Sequence, residues 1–182
     1  MRRTFFVFAA VFATAALAVS AALASSPHFK RGGEPACTIT GTGTNSTSTT
    51  CTASLAGLGM ETLEIDVTVS GSAVYLCQNP SEKNTPAGQN KVLVGPSTTP
   101  TIIHPDQIKN GTVTFTTVPA VLTAPNTVTG TQAGCNNDKW TGVSPTLTLT
   151  DITMTISQGG SLLFTCSASD PLSGTVKLTC TP

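Results

Sequence analysis

The chain is poor in charge, in aromatics and in histidine. Only 10% of its 182 residues are charged, split evenly between 9 basic and 9 acidic side chains. That leaves neither the positive field that holds phosphate backbones nor a polybasic membrane patch, so nucleic acid is not an expected partner. Low net charge combined with 39% hydrophobic residues describes a packed domain rather than a disordered chain. Aromatics make up 5%, with one Trp and one Tyr, so a broad stacking platform for sugars or bases is poorly supplied. There are two histidines, His28 and His104, and no G-x-S-x-G elbow; the nearest stretch, Gly142-Val143-Ser144-Pro145, lacks the second glycine. A Ser-His-Asp triad would have to be built on His104. No C-x-x-C pair exists, and zinc is not expected among exported cysteines. The sequence implies no cofactor.

The one long apolar run is N-terminal. Met1-Arg2-Arg3 is followed by an apolar stretch from Phe5 to Val19 broken by Thr14, then by Ala22-Leu23-Ala24. This is the order of a secretory signal peptide, residues 1–24, with cleavage after Ala24. A membrane anchor would need a longer run and a basic flank, and the arginine pair only faintly echoes a twin-arginine signal. The remaining 158 residues carry seven basic and nine acidic groups, a mildly acidic chain with no membrane attachment expected after cleavage. Residues 25–35 (SSPHFKRGGEP) offer little to bury and read as a flexible leader, in which Lys30-Arg31 could serve as a processing site.

From Cys37 onward the period is two. Leu63, Ile65, Val67 and Val69 alternate with Thr62, Glu64, Asp66 and Thr68, the pattern of a strand with one buried face. Val113 and Phe115 repeat it, as do Ile152, Met154 and Ile156. Between Leu147 and Ile156 the apolar positions change from odd to even, which a strand can do only by inserting a residue. A bulge, bend or break is therefore expected at Thr150-Asp151. Frequent threonine, with glycine and proline at short intervals, leaves little room for helix. The expected architecture is all-β: one disulfide-bonded domain over residues 36–182, an antiparallel sandwich with an immunoglobulin-like Greek key, or alternatively a small barrel.

Six cysteines behind a signal peptide imply three disulfides, for which 15 pairings exist. Cys166 and Cys180 are symmetric about Ser173 and face each other across an expected hairpin. Cys37 and Cys51 are likewise symmetric about Thr44. By subtraction Cys77 joins Cys135. On the loop-entropy model each shorter ring contributes about 3 kcal/mol and the longer one somewhat more.

Joining Cys77 to Cys135 gathers Asn79, Gln89, Asn90, Asn136, Asn137, Asp138 and Trp140 at one end of the sandwich. Amide and carboxylate side chains bind hydroxyls and an indole face stacks on a sugar ring, so these seven form a candidate carbohydrate site. Amide-rich loops also cap their own turns, and the alternative role for Trp140 is to cover the core edge. Glu64 and Asp66, on one wet strand face, are the candidates for an acid pair or a cation site. Asn45-Ser46-Thr47 and Asn110-Gly111-Thr112 are sequons that matter only in a eukaryotic secretory route.

The segments Ala56-Gly57-Leu58-Gly59, Tyr75-Leu76-Cys77-Gln78-Asn79-Pro80, Pro86-Ala87-Gly88-Gln89-Asn90-Lys91 and Gly134-Cys135-Asn136-Asn137-Asp138-Lys139-Trp140 resemble a group of small secreted bacterial proteins of unknown function. That group carries a G-L-G turn, a C-x-N followed by P-G-Q-N, and a later G-C-x-x-x-x-W. Here Ala87 separates Pro86 from Gly88. The resemblance implies export, a β fold and a Cys77–Cys135 bond, and supplies no mechanism. Together these readings describe a secreted, non-enzymatic binding or structural module whose partner is an extracellular glycan or a component of the cell envelope. The competing class is an extracellular hydrolase acting on a polymer, with Glu64, Asp66 or His104 as its acid-base group. N-terminal sequencing of the exported protein should begin at Ser25, and its intact mass should rise on reduction by one hydrogen per cysteine.

Overall fold

The computed structural model describes residues 26–82 and 86–182. The proposed signal peptide lies outside the described residues. Among the described residues, twelve strands and two short helical turns follow in the order β1 (His28–Phe29), β2 (Ala36–Thr40), β3 (Ser46–Ala56), β4 (Leu63–Gln78), β5 (Val92–Ile103), a 3-10 turn (Pro105–Gln107), β6 (Val113–Thr116), β7 (Ala120–Thr123), β8 (Thr127–Thr129), α1 (Gly130–Ala133), β9 (Thr141–Gln158), β10 (Ser161–Leu172), β11 (Gly174–Lys177) and β12 (Thr179–Thr181).

The strands form two packed antiparallel sheets, so the barrel alternative is set aside. In the first, β3 is central: β2 and β1 pair with one side of it, β6 and β7 with the other, and β11 extends the sheet beyond β2. The second runs β12-β10-β9-β4-β5, with β8 joining the start of β9. Consecutive strands β3 and β4 lie in different layers. The chain later returns to pair β6 and β7 with β3, then β9 with β4, which is the Greek-key order of an immunoglobulin-like sandwich.

The alternating residues set the layer spacing. Leu63, Ile65, Val67 and Val69 of β4 are buried, as are Ile152, Met154 and Ile156 of β9 beside them. Each such side chain contributes roughly 1.5–3 kcal/mol when removed from water. The phase change in β9 is a bulge. Ser70 faces Asp151 and Gly71 faces Leu149, so Thr150 is the inserted residue. Its hydroxyl donates to Asp151 Oδ2 at 2.6 Å, and the Ser70 hydroxyl reaches the same carboxylate oxygen at 3.4 Å. Neighbouring strands yield at the same level. The β4–β5 register shifts between Val69 and Gly71, opposite Gly95-Pro96, and the β9–β10 register shifts between Ser169 and Leu172. A line of irregularity therefore crosses four strands, and β4 keeps its alternation through it: Val69, Gly71, Ala73 and Tyr75 all face inward.

Three disulfides join Cys37 to Cys51, Cys77 to Cys135 and Cys166 to Cys180, the expected pairs, so no cysteine is left as a thiolate ligand. Cys37 and Cys51 stand directly opposite each other in the β2–β3 hairpin, and Cys166 and Cys180 do so between β10 and β12. The simple hairpin expected at Ser173 is not what brings the second pair together. After β10 the chain crosses to the first sheet, where Gly174–Lys177 pairs with β2, and returns for only three residues as β12.

The segment expected as a flexible leader is also different. His28 and Phe29 pair with Ala56 and Leu55, the Lys30 amide donates to Ser54 O at 2.9 Å, and the Ser54 amide donates to Gly33 O at 2.8 Å. Phe29 packs on Phe164 of the opposite sheet with ring centroids 4.6 Å apart. A free edge of β3 and an exposed flank of Phe164 give this segment something to bury, which its composition alone did not reveal. Gly71 sits at the line of irregularity, where a methyl group would run into the Thr148 carbonyl oxygen and press on Leu122. Gly71→Ala should therefore lower stability by about 1–3 kcal/mol in urea denaturation.

Candidate functional site at the Cys77–Cys135 loops

Cys77 lies near the end of β4 and Cys135 just past α1. The helical turn is set by its caps. The Gln132 amide donates to Thr129 Oγ1 at 3.2 Å, Gln132 Oε1 accepts from the Thr129 amide at 3.1 Å, and Gly134 ends the turn in the left-handed region. Residues 86–90 then close over both elements. The Cys77 amide donates to Pro86 O at 2.6 Å, the Gly88 amide to Tyr75 O at 2.7 Å, and the Asn90 amide to Ala133 O at 3.2 Å. Gly88 is required at this crossing, because a methyl group there would meet the carbonyl oxygens of Ala133 and Tyr75. Tyr75 is fully buried below, its hydroxyl donating to Pro125 O at 2.9 Å. Burial pushes its phenol above the ordinary tyrosine range.

The structure brings these loops together, but it gives the candidate side chains different roles. Asn90 Nδ2 donates to Thr131 O at 3.2 Å, satisfying a carbonyl of α1. Asn137 Oδ1 accepts from the Lys139 amide at 2.9 Å, and Asn137 O accepts from the Trp140 amide at 3.1 Å. Asn79 Oδ1 accepts from the Ser81 hydroxyl at 3.0 Å, and Asn79 O accepts from the Glu82 amide at 2.9 Å. The Asn90 and Asn137 amides therefore support backbone groups, as amide side chains do in loops, while the Asn79 amide holds the Ser81 hydroxyl. Gln89, Asn136 and Asp138 are exposed to solvent. Trp140 is partly buried and packs on the edge of the core, as Cys135 does.

Glu64, Asp66 and His104 lie elsewhere. Glu64 and Asp66 project from the outer face of β4, Glu64 between Ile102 and Ser157 and Asp66 between Pro100 and Thr155. His104 is exposed just beyond β5, and its backbone amide donates to Gln107 Oε1 at 2.9 Å at the start of the 3-10 turn Pro105–Gln107. Glu64 and Cys77 are near opposite ends of β4, on the order of 40 Å apart at the rise of an extended strand. The acid-base candidates and the amide loops thus do not share a site. Asn126 escaped the sequence reading: its Oδ1 accepts from Asn45 Nδ2 at 3.0 Å across 81 residues of chain, a pairing that no local pattern announces.

No family model, curated protein or solved structure matches the chain.

Trp140 should emit at shorter wavelength than free tryptophan and be only partly accessible to acrylamide. Replacing Cys77 and Cys135 together by alanine should cost about 4 kcal/mol on the loop-entropy model and shift that emission to the red.

Proposed function

We propose that the protein is an exported β-sandwich module with a binding or structural role at the cell exterior, its partner an extracellular glycan or a component of the cell envelope. The observation that carries this reading is the pairing of all six cysteines in three disulfides, bonds that persist in oxidising compartments and are rare in reducing ones. The secretory pattern of the first 24 residues and the resemblance to small secreted bacterial proteins support the same compartment. Among the described residues no helix is long and apolar enough to cross a membrane.

A non-catalytic role is supported by the distribution of chemistry along β4. Glu64 and Asp66 stand near one end and the amide loops near the other, so a substrate held at the loops would not reach the carboxylates.

The test is a co-sedimentation assay of the oxidised protein on purified cell-wall fractions and insoluble polysaccharides, run beside a hydrolase screen on glycan, ester and peptide substrates. Retention on at least one fraction without turnover is expected. Turnover that disappears in Glu64→Gln or His104→Ala, with folding intact, would overturn the reading in favour of a hydrolase.

A further inference from the structure

We propose that an uncharged glycan chain binds not at the Cys77–Cys135 loops but in a cleft beneath the Gly41–Thr44 turn, with Asn45, Asn126, Ser144 and Thr146 as its polar contacts and Leu76 as its apolar one. The proposal rests on the reading of the protein as an exterior binding module and gives that module a site and a ligand class.

The cleft has a volume of about 580 Å³ and is lined by those five residues together with Gly43 and Pro145. At Gly43 and Thr146 it meets a second hollow of about 250 Å³ that continues to Leu172 and Ser173. The larger hollow alone falls within the roughly 300–1,000 Å³ of ordinary ligand sites. The two share Gly43 and Thr146, so a ligand with more than one sugar ring could extend from one into the other.

Chemistry selects the ligand. Among the described residues, no titratable side chain lines either hollow. An ionic ligand would give up hydration there without meeting an opposite charge, whereas hydroxyl groups would find amide and hydroxyl partners. Leu76, 37% exposed, supplies apolar surface for the C–H face of a sugar ring.

The polar groups are held in place before any ligand arrives. Asn45 Nδ2 donates to Asn126 Oδ1 at 3.0 Å, so the two side-chain amides that line the cleft brace each other. The Ala124 amide donates to Asn45 O at 2.8 Å, and the Leu147 amide donates to Thr44 O at 2.9 Å, tying the overhanging turn to the opposite sheet. Such fixing lowers the ordering cost of binding.

Ser144 carries the most specific sign. It is a non-glycine residue at φ 51°, in the left-handed region, inside a bulge where Ser144 and Pro145 of β9 stand opposite Tyr75 alone. Such a conformation costs roughly 1–3 kcal/mol and concentrates at ligand sites. Here it turns β9 at the wall of the cleft.

Isothermal titration of the oxidised protein with hexasaccharides of neutral β-glucan, xylan, mannan and chitin, and with polygalacturonate as a charged counterpart, tests the proposal. One neutral series should bind. Asn126→Ala and Thr146→Trp should each weaken it by about tenfold or more, the worth of one ligand hydrogen bond or more. The exposed-loop variant Asn136→Ala/Asp138→Ala should bind as the parent does. Thr146 is exposed, so Thr146→Trp obstructs the cleft without entering the core, and an unchanged melting temperature and disulfide mass certify each variant. Binding that survives both cleft variants and vanishes in the loop variant would overturn the cleft while leaving the module reading intact. Binding to polygalacturonate alone would overturn the neutral ligand. Silence across the panel would overturn the proposal, and retention on cell-wall fractions would then decide the module reading separately.

Discussion

The pairing of β4 with β9 is the constraint on which the rest of the molecule depends. These are the two longest strands, of 16 and 18 residues, and they run side by side from Leu63 opposite Gln158 to Gln78 opposite Thr141. Every inward side chain between them contributes to one continuous core, so a one-residue slip would turn an entire row outward. The pairing survives because each irregularity is absorbed on β9: Thr150 near its middle, Ser144-Pro145 near its start. β4 is the straight reference strand, and β5 and β10 adapt to the bent one at the same level. The left-handed turn at Ser144 and the wall of the cleft are thus set by the same bulge.

Much of this is legible in the sequence because its cause is local. The alternation from Leu63 to Val69 and the phase change after Leu149 are properties of consecutive residues, and the bulge follows from period two alone. The hairpin of Cys37 and Cys51 is legible for the same reason, since a symmetric spacing about a turn fixes which residues oppose each other. The Cys166–Cys180 pair obeys that symmetry too, yet the path between the two cysteines does not. Residues 174–177 find a better partner in the free edge of β2, and nothing in their own composition names that edge.

The leader and the loops fail to be legible for a related reason. His28 and Phe29 are ordered by an edge of β3 and by Phe164, both remote in sequence. Asn79, Asn90 and Asn137 could be read as ligand contacts or as turn supports, and the choice depends on which backbone groups lie within reach after folding. For Asn90 that group is Thr131 O, 41 residues away. Asn45 and Asn126 show the converse, an amide pair across two loops that only the assembled sandwich brings together.

The placement of the three disulfides bears on what each one joins. Cys37–Cys51 and Cys166–Cys180 span 14 residues each and each joins two strands of one sheet, but only Cys37–Cys51 closes a simple hairpin, because the chain between Cys166 and Cys180 passes through β11 of the other sheet. Cys77–Cys135 spans 58 residues, and between its cysteines the chain crosses to the first sheet for β6 and β7 and returns for β8 and α1. This bond therefore ties the end of β4 to the segment that follows the chain's return from the first sheet, a link that neither shorter bond supplies.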